Sequence, residues 1–131
     1  TKKGRKFTGV SGSSMGGLVS VYLALEYQDV FSKVGALSSA FGVCRDDLIR
    51  FIAQHPKEYP IRFWLDAVTK EGENMDIERN QLPIKDALIA AGWEEGEEVN
   101  FIIYKGAEHY ESFWRQRFGD VLAYLWDNLW L

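Results

Sequence analysis

A serine flanked by two glycines is the first feature of this sequence that could do chemistry. Gly12, Ser14 and Gly16 form a G-x-S-x-G pentapeptide, between a strand-like run over residues 6–11 and a helix-like run over residues 15–27. That setting is typical of a nucleophile elbow, a sharp turn that exposes the serine hydroxyl. We expect a side chain at either glycine to strike the neighbouring strand or helix, so that glycine at both positions permits a strained Ser14. The alternative is a Gly/Ser loop without chemistry.

A serine hydroxyl is a poor nucleophile until a base accepts its proton, and the base is usually histidine. The sequence has two histidines. His55 ends a predicted surface helix beside a proline, where we expect a structural role. His109 follows the fourth predicted strand, and the carboxyl ends of parallel strands meet at one edge of a sheet, where Ser14 also belongs. We therefore predict that His109 is the base; the alternative is a histidine packed on nearby aromatic rings.

An acid that orients the histidine should lie between Ser14 and His109 in the sequence, after the third predicted strand. Asp66 ends that strand, and Glu71 follows in the loop five residues later. A strand-end carboxylate can be directed into the sheet or held in a turn, whereas a loop carboxylate is freer to reach an imidazole. We therefore prefer Glu71 and keep Asp66 as the alternative.

The oxyanion of a tetrahedral intermediate needs at least two hydrogen-bond donors. The backbone N–H of Met15, next to the nucleophile and at a helix N-terminus, supplies one. The second donor normally comes from a loop after an earlier strand, and nothing before Lys6 can supply it. Since Thr1 is not a methionine and lies just before the first strand, we expect that a natural upstream region was removed or lies outside this chain.

Short β-like runs alternate with longer helical runs along the chain. The predicted strands cover residues 6–11, 33–38, 61–66 and 99–104, and the predicted helices cover residues 15–27, 45–55, 80–91 and 110–129. This order implies parallel strands joined by right-handed crossovers, in a three-layer α/β/α fold with a mainly parallel sheet. We expect residues 1–131 to form a single domain, or half of one. The first strand would leave an unpaired edge, which invites self-association or a complementing chain.

Composition excludes several classes of function. The 131 residues are 47% hydrophobic and carry a net charge of −4, so they can build one core but offer no Lys/Arg stripe for nucleic acid. No apolar run approaches the roughly 18–20 residues that span a membrane. Cys44 is the single cysteine, and no Cys/His spacing predicts a metal site. We therefore expect no metal or cofactor, and a reducing, cytoplasmic location.

Four stretches of the chain resemble a known family. They are Gly9–Gly17, Phe31–Ser38, Leu65–Glu71 and Gly106–Trp114. Together they resemble the C-terminal half of an esterase of the α/β-hydrolase superfamily, in the putative esterase group that includes esterase D, feruloyl esterases and enterochelin esterases. The resemblance implies Ser14 as nucleophile, Glu71 as acid and His109 as base. The sequence departs from the group at Val68, where such esterases often have glycine, and some siderophore esterases are thought to work with a Ser-His dyad.

The sequence thus predicts a serine esterase that hydrolyses a small-molecule carboxylic ester through an acyl-enzyme, with a Ser-His-acid triad. The alternative comes from a different class of protein. It is a truncated, non-catalytic fragment or binding module, which would need another chain to complete the sheet and the oxyanion hole.

Overall fold

The computed structural model describes residues 2–70, 72–108 and 111–127, in which strands and helices alternate as predicted. The strands are β1 (Gly9–Ser13), β2 (Lys33–Leu37), β3 (Arg62–Lys70) and β4 (Val99–Glu108). The helices are α1 (Met15–Glu26), α2 (Arg45–Gln54), α3 (Leu82–Ala90) and α4 (Glu111–Leu125). Shorter elements are 3-10 turns at Arg5–Phe7, Phe41–Val43 and Glu73–Met75, and a π-helical turn at Ile77–Gln81.

The described strands form one parallel sheet in the order β1-β2-β3-β4, which confirms the predicted α/β class. The register aligns Ser13 with Leu37, Leu37 with Asp66, and Asp66 with Ile102. These four residues form a row across the sheet at the point where β1 and β2 end. Ser14 therefore lies at the carboxyl edge of the sheet, where the predicted site belongs.

Helices cover both faces of the sheet. One buried cluster joins α1, α2 and α3 to the sheet and includes Val21, Val34, Leu48, Leu65 and Leu88. A second cluster joins α4 to the sheet and comprises Leu37, Trp64, Val121 and Leu125. Because successive side chains of a strand point to opposite faces, the division of Trp64 and Leu65 between the clusters places α4 across the sheet from the other helices.

The first strand begins later than its sequence predicts. Predicted at residues 6–11, it starts at Gly9 because a 3-10 turn precedes it. The Arg5 side chain anchors this turn: Nε donates to the Gln28 carbonyl at 2.7 Å, and Nη2 donates to the Pro60 carbonyl at 2.6 Å. Both partners are distant in sequence, so the local pattern does not reveal the turn.

The third and fourth strands are longer than predicted. The sequence predicts that they end at Asp66 and Tyr104, but β3 continues to Lys70 and β4 continues to Glu108, and these two last residues pair. Each extension adds four residues, and the register between the two strands shifts after the Val68–Tyr104 pair. The prediction that Asp66 ends its strand is therefore wrong; Asp66 lies within β3, level with the end of β2.

The predicted helix at residues 80–91 is divided in the structure. A π-helical turn, Ile77–Gln81, leads directly into α3, and Asp76 caps the turn by accepting a hydrogen bond from the Arg79 amide at 2.8 Å. In the part of the chain that the structure describes, no helix has both the length and the apolar character that crossing a bilayer requires.

Candidate active site

Ser14 occupies the sharp turn between β1 and α1. Its φ of 56° and ψ of −119° lie in a region that residues with a side chain rarely adopt. The Ser14 N–H donates to the Leu37 carbonyl at 2.9 Å, and the Ser14 carbonyl accepts hydrogen bonds from the amides of Ala40 at 3.0 Å and Gly17 at 3.2 Å. The strain that the pentapeptide predicts is thus present, and the surrounding backbone maintains it.

The Ser14 side chain does not bind the helix that it precedes. A serine before a helix usually accepts a hydrogen bond from a first-turn amide, with its own backbone extended. Ser14 has the wrong backbone conformation for this and makes no side-chain capping bond. Its side chain is half-buried. First-turn amides have no acceptor within the helix, so the Met15 N–H can donate to an oxygen beside Ser14.

Of the two glycines that frame Ser14, steric contact requires only Gly12. A Cβ at Gly12 would lie 2.5 Å from the carbonyl carbon and oxygen of Gly16. A Cβ at Gly16 would meet no described atom within 4 Å, so the prediction that both positions exclude a side chain is wrong for Gly16. The second close approach is at Gly17, where a Cβ would overlap Ser39 Oγ and lie 3.0 Å from Ser39 Cβ.

A second strained turn, residues 38–40, lies behind the elbow; we call it the Ser38 turn. Ser38 has a φ of 44°, and its N–H donates to the Asp66 carbonyl oxygen at 3.1 Å and to Asp66 Oδ1 at 2.9 Å. Gln81 Nε2 donates to the Ser39 carbonyl at 2.6 Å. Since the Ala40 amide bonds to the Ser14 carbonyl, this turn connects β3 and the π-helical turn to the elbow.

Asp66 is fully buried beneath the Ser38 turn. Its Oδ1 accepts a hydrogen bond from Arg117 Nη2 at 3.0 Å, and its Oδ2 accepts one from Trp64 Nε1 at 2.9 Å. Arg117 is 2% exposed, and Nη2 also donates to Ser38 Oγ at 3.2 Å. The carboxylate that the sequence offers as the alternative acid is thus held in a buried network of backbone, indole and guanidinium donors.

The sequence interpretation missed Arg117, although a signal for it exists. Arg117, Val121 and Leu125 are four residues apart and therefore share one face of α4. Val121 and Leu125 are buried against the sheet. An arginine in line with two apolar core positions is expected to point inward, toward a buried carboxylate.

His55 lies far from Ser14 and has structural contacts. Its Nδ1 is 2.8 Å from the Phe51 carbonyl oxygen, its Nε2 is 3.2 Å from Glu26 Oε2, and its ring stacks on that of Phe51 with a centroid distance of 3.9 Å. Glu26 is the last residue of α1 and Ser14 precedes the first, so the helix separates them by about 18 Å at ~1.5 Å per residue. This geometry agrees with the structural role that the sequence predicts for His55.

Glu71 and His109, the predicted acid and base, lie outside the described residues. The strands that lead to them are described. β3 ends at Lys70 and β4 ends at Glu108, and these two residues pair beyond a register shift that follows the Val68–Tyr104 pair.

A cavity of about 450 Å³ opens beside the N-terminus of α2, at the same edge of the sheet. Its lining includes Cys44, Arg45, Asp47 and Arg79. Burial raises the pKa of the Cys44 thiol, and the nearby Asp47 carboxylate raises it further. Among the described residues, no group of three or more His, Cys, Asp or Glu side chains is arranged to hold a metal ion.

Similar proteins span much more sequence than this chain. The "Uncharacterized protein YbbA" of Bacillus subtilis (strain 168) is 27% identical over 124 residues, which are 90% of this chain and 48% of that protein. The enterobactin esterase of Shigella flexneri, solved in the presence of 2,3-di-hydroxy-N-benzoyl-glycine, has a TM-score of 0.79 at 22% identity, over 98% of this chain and 34% of that one. A ferulic acid esterase has a TM-score of 0.71 at 14% identity, over 93% of this chain and 52% of that one.

The chain thus spans about a third to a half of the proteins that it matches. The structural likeness shows that its fold is that of α/β-hydrolase esterases. The Putative esterase family matches residues 1–125, which is nearly the whole chain. The chain belongs to this Putative esterase family.

Proposed function

We propose that this chain carries the nucleophile of a serine esterase, which hydrolyses a small-molecule carboxylic ester through an acyl-enzyme. The observation that carries the proposal is the backbone of Ser14, with φ 56° and no side-chain capping bond. Such strain persists only where surrounding structure maintains it, and it concentrates at functional sites. Here the strain presents a hydroxyl at the carboxyl edge of a parallel sheet, where α/β proteins bind their ligands.

In the proposed reaction, Ser14 Oγ attacks the ester carbonyl carbon while His109 accepts the hydroxyl proton. The Met15 N–H donates a hydrogen bond to the oxyanion. The C–O bond to the alcohol then breaks, and His109 protonates the departing oxygen, which leaves an acyl group on Ser14. Water, deprotonated by His109, attacks this acyl group. The bond from the acyl carbon to Ser14 Oγ then breaks, His109 returns the proton to Oγ, and the carboxylic acid leaves. Glu71 orients the imidazole through these steps.

The pairing of β3 with β4 supports the assignment of Glu71 and His109. Glu71 follows Lys70 in the sequence, and His109 follows Glu108. Lys70 and Glu108 are paired neighbours on adjacent strands, and adjacent strands lie about 4.8 Å apart. We propose that the Glu71 carboxylate and the His109 imidazole meet beyond this pair.

Turnover of a short p-nitrophenyl ester tests the proposal, with fluorophosphonate labelling as a second readout. The wild-type chain should hydrolyse the ester and take the label. Ser14→Ala should abolish both, because it removes the hydroxyl that we propose as the nucleophile. Ser13→Ala, one residue earlier in β1, is the matched control and should retain both. A folded wild-type chain that takes no label would contradict the proposal and favour the non-catalytic binding module.

We also propose that the outer edge of β1 pairs with another chain, in the simplest case a second copy. In the described part of the chain β1 is an edge strand, and its Gly9 and Ser11 are exposed. An unpaired edge offers backbone N–H and C=O groups to a further strand. Light scattering should therefore report a mass above that of one chain, and a monomer at all concentrations would contradict this proposal.

A further inference from the structure

We propose that Asp66 and Arg117 are positioning residues. Together they fix the turn that carries Ser14 relative to β4 and α4, the two elements between which His109 lies in the sequence. This inference rests on the proposed function and adds two residues that neither attack the ester nor accept its proton. The observation behind it is one buried carboxylate of β3 that binds the Ser38 turn and α4 at the same time. Asp66 belongs to β3, its Oδ1 accepts the Ser38 amide at 2.9 Å, and the same oxygen accepts Arg117 Nη2 of α4 at 3.0 Å.

The connection from Asp66 to the nucleophile is short. Asp66 Oδ1 holds the Ser38 amide while Ser38 has a φ of 44°. The residue before it, Leu37, accepts the Ser14 amide at 2.9 Å, and Ala40, two residues after it, donates to the Ser14 carbonyl at 3.0 Å. The end of β2 and the Ser38 turn therefore bind the peptide groups on both sides of Ser14, and Asp66 holds the strained residue between these two contacts.

The connection toward His109 runs through Arg117. His109 lies between β4 and α4 in the sequence. Arg117 belongs to α4, and its guanidinium carbon lies 5.0 Å from the centre of the Tyr104 ring of β4. The arginine thus contacts the elements on both sides of the predicted base, and its ion pair with Asp66 joins them to the Ser38 turn.

The charged pair is poorly explained by stability alone. Asp66 and Arg117 are 0% and 2% exposed, and apolar residues of similar volume often replace such a buried pair without loss of stability. What apolar residues cannot replace is the geometry. One guanidinium nitrogen reaches both Asp66 Oδ1 and Ser38 Oγ, while the guanidinium carbon lies 5.0 Å from the centre of the Tyr104 ring. The ammonium of lysine has no planar face for such a ring contact.

The kinetic experiment compares Asp66→Asn, Arg117→Met and the double variant with a matched control. A shift of about 1 Å in catalytic geometry costs on the order of 100-fold in rate, so each variant should lower kcat for a p-nitrophenyl ester by about 10- to 100-fold and leave KM little changed. Because the two residues act as one unit, the double variant should lose no more kcat than either single variant. Arg117→Lys should retain an intermediate kcat.

The control is Glu98→Gln, which breaks an ion pair between a buried glutamate and an exposed lysine. Glu98 is 6% exposed and its Oε1 is 2.7 Å from Lys57 Nζ, at the opposite edge of the sheet. Glu98→Gln should reduce the urea midpoint of unfolding and leave kcat at the wild-type value. An equal loss of kcat in Glu98→Gln would overturn the inference, and so would a wild-type kcat in Asp66→Asn.

One pattern of results would assign the orienting acid to Asp66 instead and overturn the inference. In that pattern Asp66→Asn lowers kcat, whereas Arg117→Met and Glu71→Gln keep the wild-type kcat.

Amide hydrogen exchange tests the positioning without any need for turnover. The Ser38, Ala40 and Ser14 amides should exchange faster in Asp66→Asn and in the double variant, under conditions where both remain folded. The Phe63 amide, which donates to the Glu98 carbonyl at 2.6 Å at the far edge, should exchange as in the wild type. Unchanged exchange at Ser38 and Ala40 would overturn the inference. Changed exchange in a chain that shows no ester turnover would support the inference while the proposed function fails.

Discussion

Two alanine substitutions, four residues apart in the elbow, should have opposite effects on stability. In Gly12→Ala the new Cβ would lie 2.5 Å from the carbonyl carbon and oxygen of Gly16, where a relaxed carbon contact is about 3.5–4.0 Å. Neither atom can rotate away, because both belong to the backbone of α1, so the helix must move by about 1 Å. Overpacking of this kind costs roughly 1–3 kcal/mol, and we expect the upper part of that range.

Gly16→Ala is the matched substitution, because it adds the same methyl group to the other glycine of the pentapeptide. No described atom lies within 4 Å of the new Cβ, and Gly16 is within α1. Alanine in a helix is more stable than glycine by about 0.5–1 kcal/mol. The free energies of unfolding of the two variants should therefore differ by roughly 3 kcal/mol.

Urea unfolding, followed by tryptophan fluorescence, measures this difference. Gly12→Ala should have a clearly lower midpoint than the wild type, and Gly16→Ala an equal or higher one. Since the Met15 amide moves with α1, Gly12→Ala should also lower ester turnover by on the order of 100-fold. Equal midpoints for the two variants, or a destabilised Gly16→Ala with a normal Gly12→Ala, would refute the elbow geometry on which this reasoning depends.

Two further predictions concern the surroundings of the elbow. Gly17→Ala should lower the urea midpoint, because its Cβ would overlap Ser39 Oγ. That buried hydroxyl has no hydrogen-bond partner among the described residues, so Ser39→Ala alone should be tolerated. Combined with Gly17→Ala, it should restore part of the lost urea midpoint, and an additive loss in this double variant would contradict the contact. Cys44 should be alkylated by iodoacetamide more slowly at pH 8 than a cysteine in an unfolded peptide, because burial raises its pKa and less thiolate is present. Asp47→Asn should lower the pKa of Cys44 and speed its alkylation, since the Asp47 carboxylate disfavours the thiolate. The control Asp29→Asn should alkylate at the wild-type rate, and equal rates in the wild type and both variants would contradict the role of Asp47.

Much of the fold follows from the sequence because its signals are local. The alternation of apolar runs predicts four parallel strands and their helices, and the helix after Ser14 is predicted to end at Tyr27, one residue beyond the observed end of α1. The strained turn also follows from local sequence, because only a glycine at position 12 leaves room for α1 to cross β1 so closely.

The features that the sequence does not reveal depend on distant partners. Asp66 resembles a strand end because it is polar, yet it is buried inside β3, where Arg117, 51 positions later, satisfies its charge. The extra length of β3 and β4 arises because each pairs with the other, which no local pattern records. Similarly, the glycine pattern cannot show that Gly17, rather than Gly16, is the residue that approaches Ser39.

The assignments of Glu71 and His109 remain predictions from motif and chain order. The described strands end just before these residues, at Lys70 and Glu108, which pair with each other. The buried network around Asp66 gives the competing carboxylate a role of its own. The Glu71→Gln, Asp66→Asn and Arg117→Met variants together separate the two carboxylates: all three should lower kcat if Glu71 is the acid, whereas only Asp66→Asn should do so if Asp66 is.

Peptide mass spectrometry of the fluorophosphonate-treated chain tests the central claim most directly, namely that the strained turn presents Ser14 as the nucleophile. The account predicts a single adduct on Ser14, no adduct in Ser14→Ala, and a strongly reduced rate of labelling in Gly12→Ala. An adduct on any other residue, or an unlabelled Ser14 in a folded wild-type chain, would contradict it.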